Sequence, residues 1–319
     1  MIEHDLITSA ANPRIRAAAG LREADARRAS GLTLVDGRRE VARAARAGVP
    51  IVEVFLDGGD RIAAHDQTAA AAGGGAGAAG GDRTAWLHAA DGATAHDPDV
   101  PRLAALAAAG TRIALVSRRA FERIAFGGRN EGVVAVVRYR APSLGGFTPA
   151  DTRGGPPRPI LVVEGVEKPG NLGAILRTAD AAGLAGVIAC DARTDPGNPA
   201  VIRASLGTVF TVPLAVATAA EAIAWCHAHG RRVVAAMPQG SIPWHESRLA
   251  GPTAILLGSE AHGISPLWPQ AAAAGTVALE TVRLPMAGTA DSLNVSATAA
   301  VLAYEAVRQQ AAPPRAPRP

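Results

Sequence analysis

Small polar side chains that could hold a ligand occur near the end of the chain, in residues 284–300, LPMAGTADSLNVSATAA. Ser292 and Asn294 alternate there with Leu293 and Val295, directly before an alanine-rich run that is typical of a helix. A hydroxyl or amide at a helix start can accept a hydrogen bond from a backbone N–H. The same groups can instead hydrogen-bond a bound molecule. Ser292 and Asn294 are therefore predicted either to cap the helix or to form part of a site.

A cation and an amide that could do chemistry lie in residues 162–190, VVEGVEKPGNLGAILRTADAAGLAGVIAC. The pattern predicts a strand, a turn, a helix and a second strand. Asn171 stands at the predicted start of the helix, where it could be an N-cap, and Arg177 follows six residues later. Arg177 is either a solvated helix residue or a charged group that acts on a substrate, and the local pattern leaves both interpretations open.

A carboxylate follows a buried strand in residues 254–265, AILLGSEAHGIS. Gly258 ends the apolar run, and a glycine there allows a ligand to approach the backbone. Glu260 could interact with a helix N-terminus or serve as a carboxylate of the site. The chain contains neither the Gly-x-Ser-x-Gly pattern of a nucleophile elbow nor a phosphate-binding Walker loop. Neither a nucleophile elbow nor a P-loop is therefore expected.

Alternating strands and helices must position these residues. Over residues 159–310 the order strand, helix, strand, helix predicts an α/β domain with a parallel sheet. The pattern over residues 1–140 predicts a separate small α/β domain. The Gly- and Pro-rich composition of residues 141–158 predicts a linker between the two domains. Residues 311–319 predict a disordered tail.

Composition restricts the class of partner. The chain has 319 residues, a net charge of +4 and 3% aromatic residues, so base stacking on aromatic side chains is not expected to dominate binding. Lys168 is the only lysine among the 32 basic residues. The basic pI of about 9.8 permits a nucleic-acid partner without requiring one.

Neither a metal site nor a membrane segment is predicted. Two cysteines do not make a disulfide framework, and Cys226 with His227 and His229 lacks a second ligand pair at zinc spacing. No run of 18 apolar residues occurs, so we expect a soluble, cytoplasmic protein. Residues 67–81 contain a Gly-x-Gly-x-x-Gly match, which we interpret as chance within an Ala/Gly-rich insertion because no strand precedes it.

Taken together, the three segments closely resemble the three motifs of the SpoU/TrmH-type RNA 2′-O-ribose methyltransferases of the SPOUT superfamily. The first match is Asn171-Leu-Gly-Ala-x-x-Arg177. The second is Leu257-Gly258-x-Glu260-x-x-Gly263. The third is Leu284-Pro-Met286-x-Gly288 followed by Ser292-Leu293-Asn294-Val-Ser. The order and spacing of the three matches agree over the whole predicted second domain.

The resemblance implies a fold and a cofactor. The family fold is an α/β domain whose C-terminal segment is threaded through a loop to make a trefoil knot. Family members bind S-adenosylmethionine between the second and third motifs, largely through backbone groups. The residues that match those cofactor contacts are Leu257, Gly258, Leu284, Met286 and Leu293.

The resemblance also implies a reaction, methyl transfer to a ribose 2′-hydroxyl. The family assigns activation of this hydroxyl to the arginine matched by Arg177. Because a guanidinium stays charged in proteins, we expect it to act with an RNA phosphate or to stabilise developing alkoxide charge. Asn171, Glu260, Asn294 and Ser292 would position the arginine or the nucleotide. Family members work as homodimers, with the site near the subunit interface.

The first domain more weakly resembles the substrate-binding domain of the ribosomal-RNA members, which is built like certain RNA-binding ribosomal proteins. The matching stretches are SAANPRIRAAAGLREADARR, LVDGRREVARAARAG and NEGVVAVV. This resemblance favours ribosomal RNA as the substrate. Two alternatives remain open, a transfer-RNA 2′-O-methyltransferase and a non-catalytic RNA- or ribosome-binding protein of the same fold.

Overall fold

The structure, a computed structural model, describes residues 5–58, 110–126, 131–150 and 157–311. The chain divides into two units, Met1–Tyr139 and Arg140–Pro319. The Ala/Gly-rich stretch at 67–81 and residues 312–319 of the predicted tail lie outside the described residues, whereas Ala311 ends the last helix.

The first unit contains a five-stranded mixed sheet in the order β1-β4-β3-β5-β2. Strand β5 is antiparallel to its two neighbours, and the other two pairings are parallel. Its elements are β1 (Asp5–Ile7), α1 (Pro13–Gly20), α2 (Ala24–Ser30), β2 (Leu32–Asp36), α3 (Arg38–Arg46), β3 (Ile51–Asp57), β4 (Arg112–Val116), α4 (Arg118–Phe121) and β5 (Val133–Arg138). The predicted small α/β arrangement is present, with Phe55 and Phe121 fully buried in its core.

The second unit contains a seven-stranded parallel sheet in the order β10-β12-β9-β11-β6-β7-β8. Its strands are β6 (Ile160–Glu164), β7 (Gly186–Cys190), β8 (Leu214–Ala217), β9 (Arg232–Ala236), β10 (Ile242–Pro243), β11 (Thr253–Leu257) and β12 (Leu279–Arg283). Its helices are α5 (Pro169–Ala181), α6 (Pro199–Ala204), α7 (Ala219–Ala228), α8 (Leu267–Ala273) and α9 (Val295–Ala311). The predicted α/β class and parallel sheet are confirmed. The trefoil knot stays a prediction.

The central strands of this sheet are mainly apolar, as expected of parallel strands that are covered on both faces. In the central strands β6 and β11, every residue is buried. The β-branched residues of TVFTVPLA, residues 208–215, are typical of a strand. Only Leu214 and Ala215 belong to β8, however, because Thr208–Phe210 form a single turn of 3₁₀-helix before the proline at 213. Among the described residues, no helix is long and apolar enough to cross a membrane.

Part of the predicted linker is packed against the second unit. Phe147 is buried and meets the Trp225 ring edge-on, with ring centroids 5.3 Å apart. The backbone N–H of Val216 donates to Pro142 and that of Ala150 donates to Ala185. A Gly/Pro-rich composition predicts a flexible connection, but one buried aromatic side chain is enough to hold residues 142–150 in place.

Candidate functional site

The three motif segments meet at one edge of the second sheet. All its strands are parallel, so their carboxyl ends lie together. Helix α5 follows β6, a short loop at 258–263 follows β11, and the segment at 284–294 follows β12 and leads into α9. This is the edge at which open α/β sheets bind ligands.

Three polar side chains, one from each segment, form a hydrogen-bonded cluster, which we call the Asn–Glu–Asn cluster. Asn171 Nδ2 donates to Glu260 Oε1 over 2.7 Å, and Asn294 Nδ2 donates to the same oxygen over 3.0 Å. Asn294 Nδ2 also donates to Asn171 Oδ1 over 3.2 Å. The structure therefore brings together three of the five residues predicted to be catalytic.

Asn294 both caps α9 and belongs to the cluster. Its Oδ1 accepts from the Ser296 N–H over 3.0 Å and from the Ser296 hydroxyl over 2.6 Å. Its carbonyl accepts from the Thr298 N–H over 2.9 Å. With Oδ1 engaged as the cap, Nδ2 is left to donate to Glu260. The interpretation of Ser292 as the helix cap is wrong, because α9 begins at Val295 and Asn294 precedes it directly.

Asn171 is not a helix cap, which corrects the simpler of its two interpretations. Helix α5 begins two residues earlier with Pro169, whose fixed φ suits a first helical position, and Lys168 is the N-cap. Asn171 lies in the first turn, so its side chain points outward from the helix end to Glu260. Lys168 completes the surroundings of Glu260, with Nζ 3.2 Å from Oε2.

An open cleft borders the cluster and contains every residue predicted to contact the cofactor. Glu260 and Ser292 lie on its wall as well. The cofactor residues that line it are Leu257, Gly258, Leu284, Met286 and Leu293. The sequence analysis missed the wall formed by Ala236, Met237 and Pro238, and it missed Asp291. Ala236 ends β9, which pairs with β11, so strand order was the signal that could have found this wall.

Gly258 is required by the loop itself. A Cβ at this position would lie 2.2 Å from the carbonyl carbon of Gly263 and 2.5 Å from the Ile264 nitrogen. Two backbone hydrogen bonds between Ser259 and Gly263, of 2.9 and 3.0 Å, close the loop beside it. Gly263 has φ +68°, a conformation that favours glycine. The loop is therefore a tight turn that presents Glu260 to the cluster.

Arg177 lies away from the cluster. It is exposed on α5, does not line the cleft, and makes no hydrogen bond or ion pair with any residue in the described ranges. It follows Gly173 by one helical turn on the same face, and Gly173 packs against Ala204 and Ser205 at the end of α6. Its catalytic role thus stays a prediction.

The residues weighed as metal ligands have other roles. The ring of His229 stacks on that of Trp225 with centroids 4.1 Å apart, and its Nδ1 contacts the Trp225 carbonyl. His227 Nδ1 lies 2.6 Å from the Thr276 carbonyl. Burial raises the pKa of the Cys226 thiol to about 12 and raises that of Cys190 as well, so both stay protonated. Within the described residues, no cluster of His, Cys, Asp and Glu could hold a metal ion.

Comparison with known proteins identifies the family of this chain. The SpoU rRNA Methylase family model matches residues 158–304. A relative from Vibrio parahaemolyticus, named 23S rRNA (guanosine-2′-O-)-methyltransferase RlmB, is 32% identical over 215 residues, which cover 67% of this chain and 84% of the relative.

Two solved structures cover nearly the whole chain. One, described as an RNA 2′-O ribose methyltransferase, is 32% identical with a TM-score of 0.70, and the match covers 96% of this chain and 99% of the other. An AdoMet-bound rRNA methyltransferase from Sinorhizobium meliloti is 25% identical with a TM-score of 0.72, covering 97% and 99%. On these matches, the chain belongs to the SpoU rRNA methylase family.

Proposed function

We propose that this chain transfers a methyl group from S-adenosylmethionine to a ribose 2′-hydroxyl of ribosomal RNA. One observation carries the proposal. The five residues predicted to contact the cofactor line a single cleft, and Glu260 belongs both to that cleft and to the Asn–Glu–Asn cluster. A methyl donor in the cleft would therefore lie beside polar groups that can orient a ribose. Family membership and the names of the relatives support the same activity.

The cleft fits the cofactor in chemistry. Leu257, Leu284 and Leu293 supply apolar walls for a purine ring. The carboxylates of Glu260 and Asp291 supply negative charge for a cationic ligand. When bound, S-adenosylmethionine supplies an electrophilic methyl group. The chain's own residues then have to bind the ribose, orient its hydroxyl and exclude water.

The Asn–Glu–Asn cluster is suited to orienting the substrate. Glu260 Oε1 accepts from both amides, which holds the carboxylate in one orientation at the edge of the cleft. Asn171 then has one amide hydrogen and Ser292 has its hydroxyl to offer a ribose, whereas both amide hydrogens of Asn294 are already donated within the cluster. A 2′-hydroxyl is a poor nucleophile, so its proton must be removed or its charge stabilised as it attacks.

Arg177 is proposed to supply that charge stabilisation. Because it lies outside the cleft of its own chain, it would act through an RNA phosphate or across an interface with a second copy. We propose a homodimer in which α9 contributes to the interface, because Tyr304 on this helix is 53% exposed although it is a large apolar residue. The proposed place of action is the cytoplasm, where ribosomal RNA is available.

The decisive experiment maps 2′-O-methyl groups in ribosomal RNA by mass spectrometry, with and without the gene. We expect one position to lose its methyl group in the deletion strain and to regain it when the purified protein acts on that RNA with tritiated S-adenosylmethionine. Methylation of transfer RNA alone would replace ribosomal RNA as the substrate. RNA binding without any methyl transfer would instead indicate the non-catalytic alternative.

A further inference from the structure

Lys168 is a charged side chain beside the cluster that the proposed mechanism does not use. Its ammonium lies 3.2 Å from Glu260 Oε2, while Oε1 of the same carboxylate accepts from the two amides. No other ion pair or hydrogen bond of this ammonium occurs within the described ranges. An ammonium carries three donors, so donors remain for a further acceptor.

Structural stabilisation does not explain this ion pair. The Lys168 side chain is 72% exposed and that of Glu260 is 37% exposed. Ion pairs this exposed contribute little to stability, because water competes for both charges and two side chains must be held in one arrangement. The pair instead changes the charge that the cluster presents to an approaching molecule.

The chemistry of the proposed substrate requires such a cation. A ribose 2′-hydroxyl is on the carbon next to the one that carries the 3′-phosphodiester, so a site that receives this hydroxyl also receives a phosphate. Glu260 and Asp291 place two negative charges on the cleft wall, and both would repel that phosphate. Lys168 offsets the charge of Glu260 at the point where the cleft meets the cluster.

Resting on the proposed function, we propose that Lys168 binds the RNA phosphate next to the target ribose and is a substrate-binding residue of this enzyme. Glu260 Oε2 holds the ammonium at the edge of the cluster in the free protein, and the remaining donors engage the phosphate when RNA binds. Removal of Lys168 therefore weakens RNA binding. It does not weaken the binding of S-adenosylmethionine, because Lys168 only offsets the Glu260 charge that attracts this cationic cofactor.

Three variants test the proposal with the ribosomal-RNA fragment that methyl mapping identifies. Lys168→Ala should bind this RNA about fivefold to tenfold more weakly at low salt, and the slope of log affinity against log salt should fall by about 0.7 to 0.9. Lys168→Arg keeps the charge and should retain most of the affinity. Arg248→Ala removes an equal, exposed charge from the loop beside Gln309, at the opposite end of α9 from the cluster, and should leave the slope unchanged.

Saturation kinetics separate phosphate binding from a purely structural effect on Glu260. If Lys168 binds phosphate, saturating RNA restores the rate of Lys168→Ala, so KM rises and kcat is retained. A reduced kcat with unchanged KM, or an equal loss of S-adenosylmethionine affinity, would overturn the proposal. An equal change of slope in Arg248→Ala would also overturn it, because net charge would then explain the effect.

The single lysine allows a direct readout that does not depend on activity. Protein grown with [6-¹³C]lysine carries one labelled side chain, because Lys168 is the only lysine. Its Cε resonance should shift when the RNA fragment is added. If the RNA fragment binds and is methylated but this resonance does not shift, the role of Lys168 is refuted and the proposed function is not. Failure of the wild-type protein to bind or methylate ribosomal RNA would refute the proposed function itself.

Discussion

At the scale of single residues, the side-chain oxygen and nitrogen of each asparagine in the cluster have different partners. Some of these bonds stabilise a helix end, and others hold the site together. Asn294 uses Oδ1 to cap α9 and Nδ2 to hold Glu260. Asn171 donates to Glu260 and accepts from Asn294. Because each amide atom has a different partner, conservative substitutions can remove one role and keep the other.

Substitutions of Asn294 should separate capping from function. Asn294→Ser keeps a good N-cap but loses the donor to Glu260, whereas Asn294→Ala loses both. We expect Asn294→Ala to lower the free energy of unfolding by about 1 kcal/mol and Asn294→Ser to change it little. Both should lose most methyl transfer. Thermal unfolding with single-turnover assays checks this, and a fully active Asn294→Ser would show that the Glu260 contact is dispensable.

Arg177 belongs to the same scale, although it lies outside the cluster. Stabilising one developing charge contributes on the order of 100- to 1,000-fold in rate, so Arg177→Ala should lose about that much with RNA and cofactor saturating. Arg177→Lys should rescue poorly, because it lacks the planar fork that can hold a phosphate and a hydroxyl together. The measurement is single-turnover transfer of a tritiated methyl group. A rate within about threefold of wild type would remove Arg177 from the mechanism.

At the scale of elements, the loop at 258–263 is held by its own backbone, which changes what a substitution there should do. If Gly258 only lined a pocket, Gly258→Val would block cofactor binding and leave the fold intact. The structure shows that any Cβ at Gly258 meets the Gly263 backbone first. Overpacking of this kind forces backbone shifts, so the loop must open and Glu260 must move with it.

Gly258→Ala should therefore lower both stability and S-adenosylmethionine affinity. We expect a cost of about 1–3 kcal/mol in the free energy of unfolding. Gly288→Ala is the matched control, because a Cβ there meets nothing within 4 Å. Calorimetry and thermal unfolding of the two variants provide the comparison. Unchanged affinity in a folded Gly258→Ala would show that this loop does not shape the cofactor site.

At the scale of the whole molecule, the boundary between the units lies at Tyr139, before the Gly/Pro-rich segment. Residues 142–150 belong structurally to the second unit through Phe147 and through backbone contacts to Val216 in β8 and to Ala185, which directly precedes β7. A fragment that starts after this segment therefore lacks part of its own core.

A fragment of residues 140–319 should fold, bind S-adenosylmethionine and lose most RNA affinity if the first unit reads the substrate. A fragment of residues 155–319 should be less stable, because Trp225 loses its partner Phe147. Phe147→Ala in the longer fragment should reproduce most of that loss, about 3–5 kcal/mol. Denaturant unfolding checks the stabilities. Full methylation of ribosomal RNA by the 140–319 fragment would contradict a substrate-reading role of the first unit.

The sequence by itself determined the family, the α/β class and the three segments that form the site. Motif order and alternating strands and helices are local patterns, so they can be read without coordinates. The family and the parallel sheet are confirmed, and all five cofactor candidates line one cleft. The sequence did not predict strand β10, because two residues are too few to show an alternating pattern. It did not predict the cleft wall at 236–238 either, because that wall depends on the order of the strands in the sheet.

Only the tertiary structure decided which local interpretation of each polar residue is correct. Ser292, Asn294 and Asn171 are all residue types that commonly cap helices. In the structure only Asn294 among them caps a helix, and both Asn294 and Asn171 donate to Glu260. The bonds that decide this join residues 34, 89 and 123 positions apart. A local pattern can specify a hydrogen bond within one turn. Which distant side chains meet depends on the order in which parallel strands bring their carboxyl ends together, and that order is a property of the whole fold.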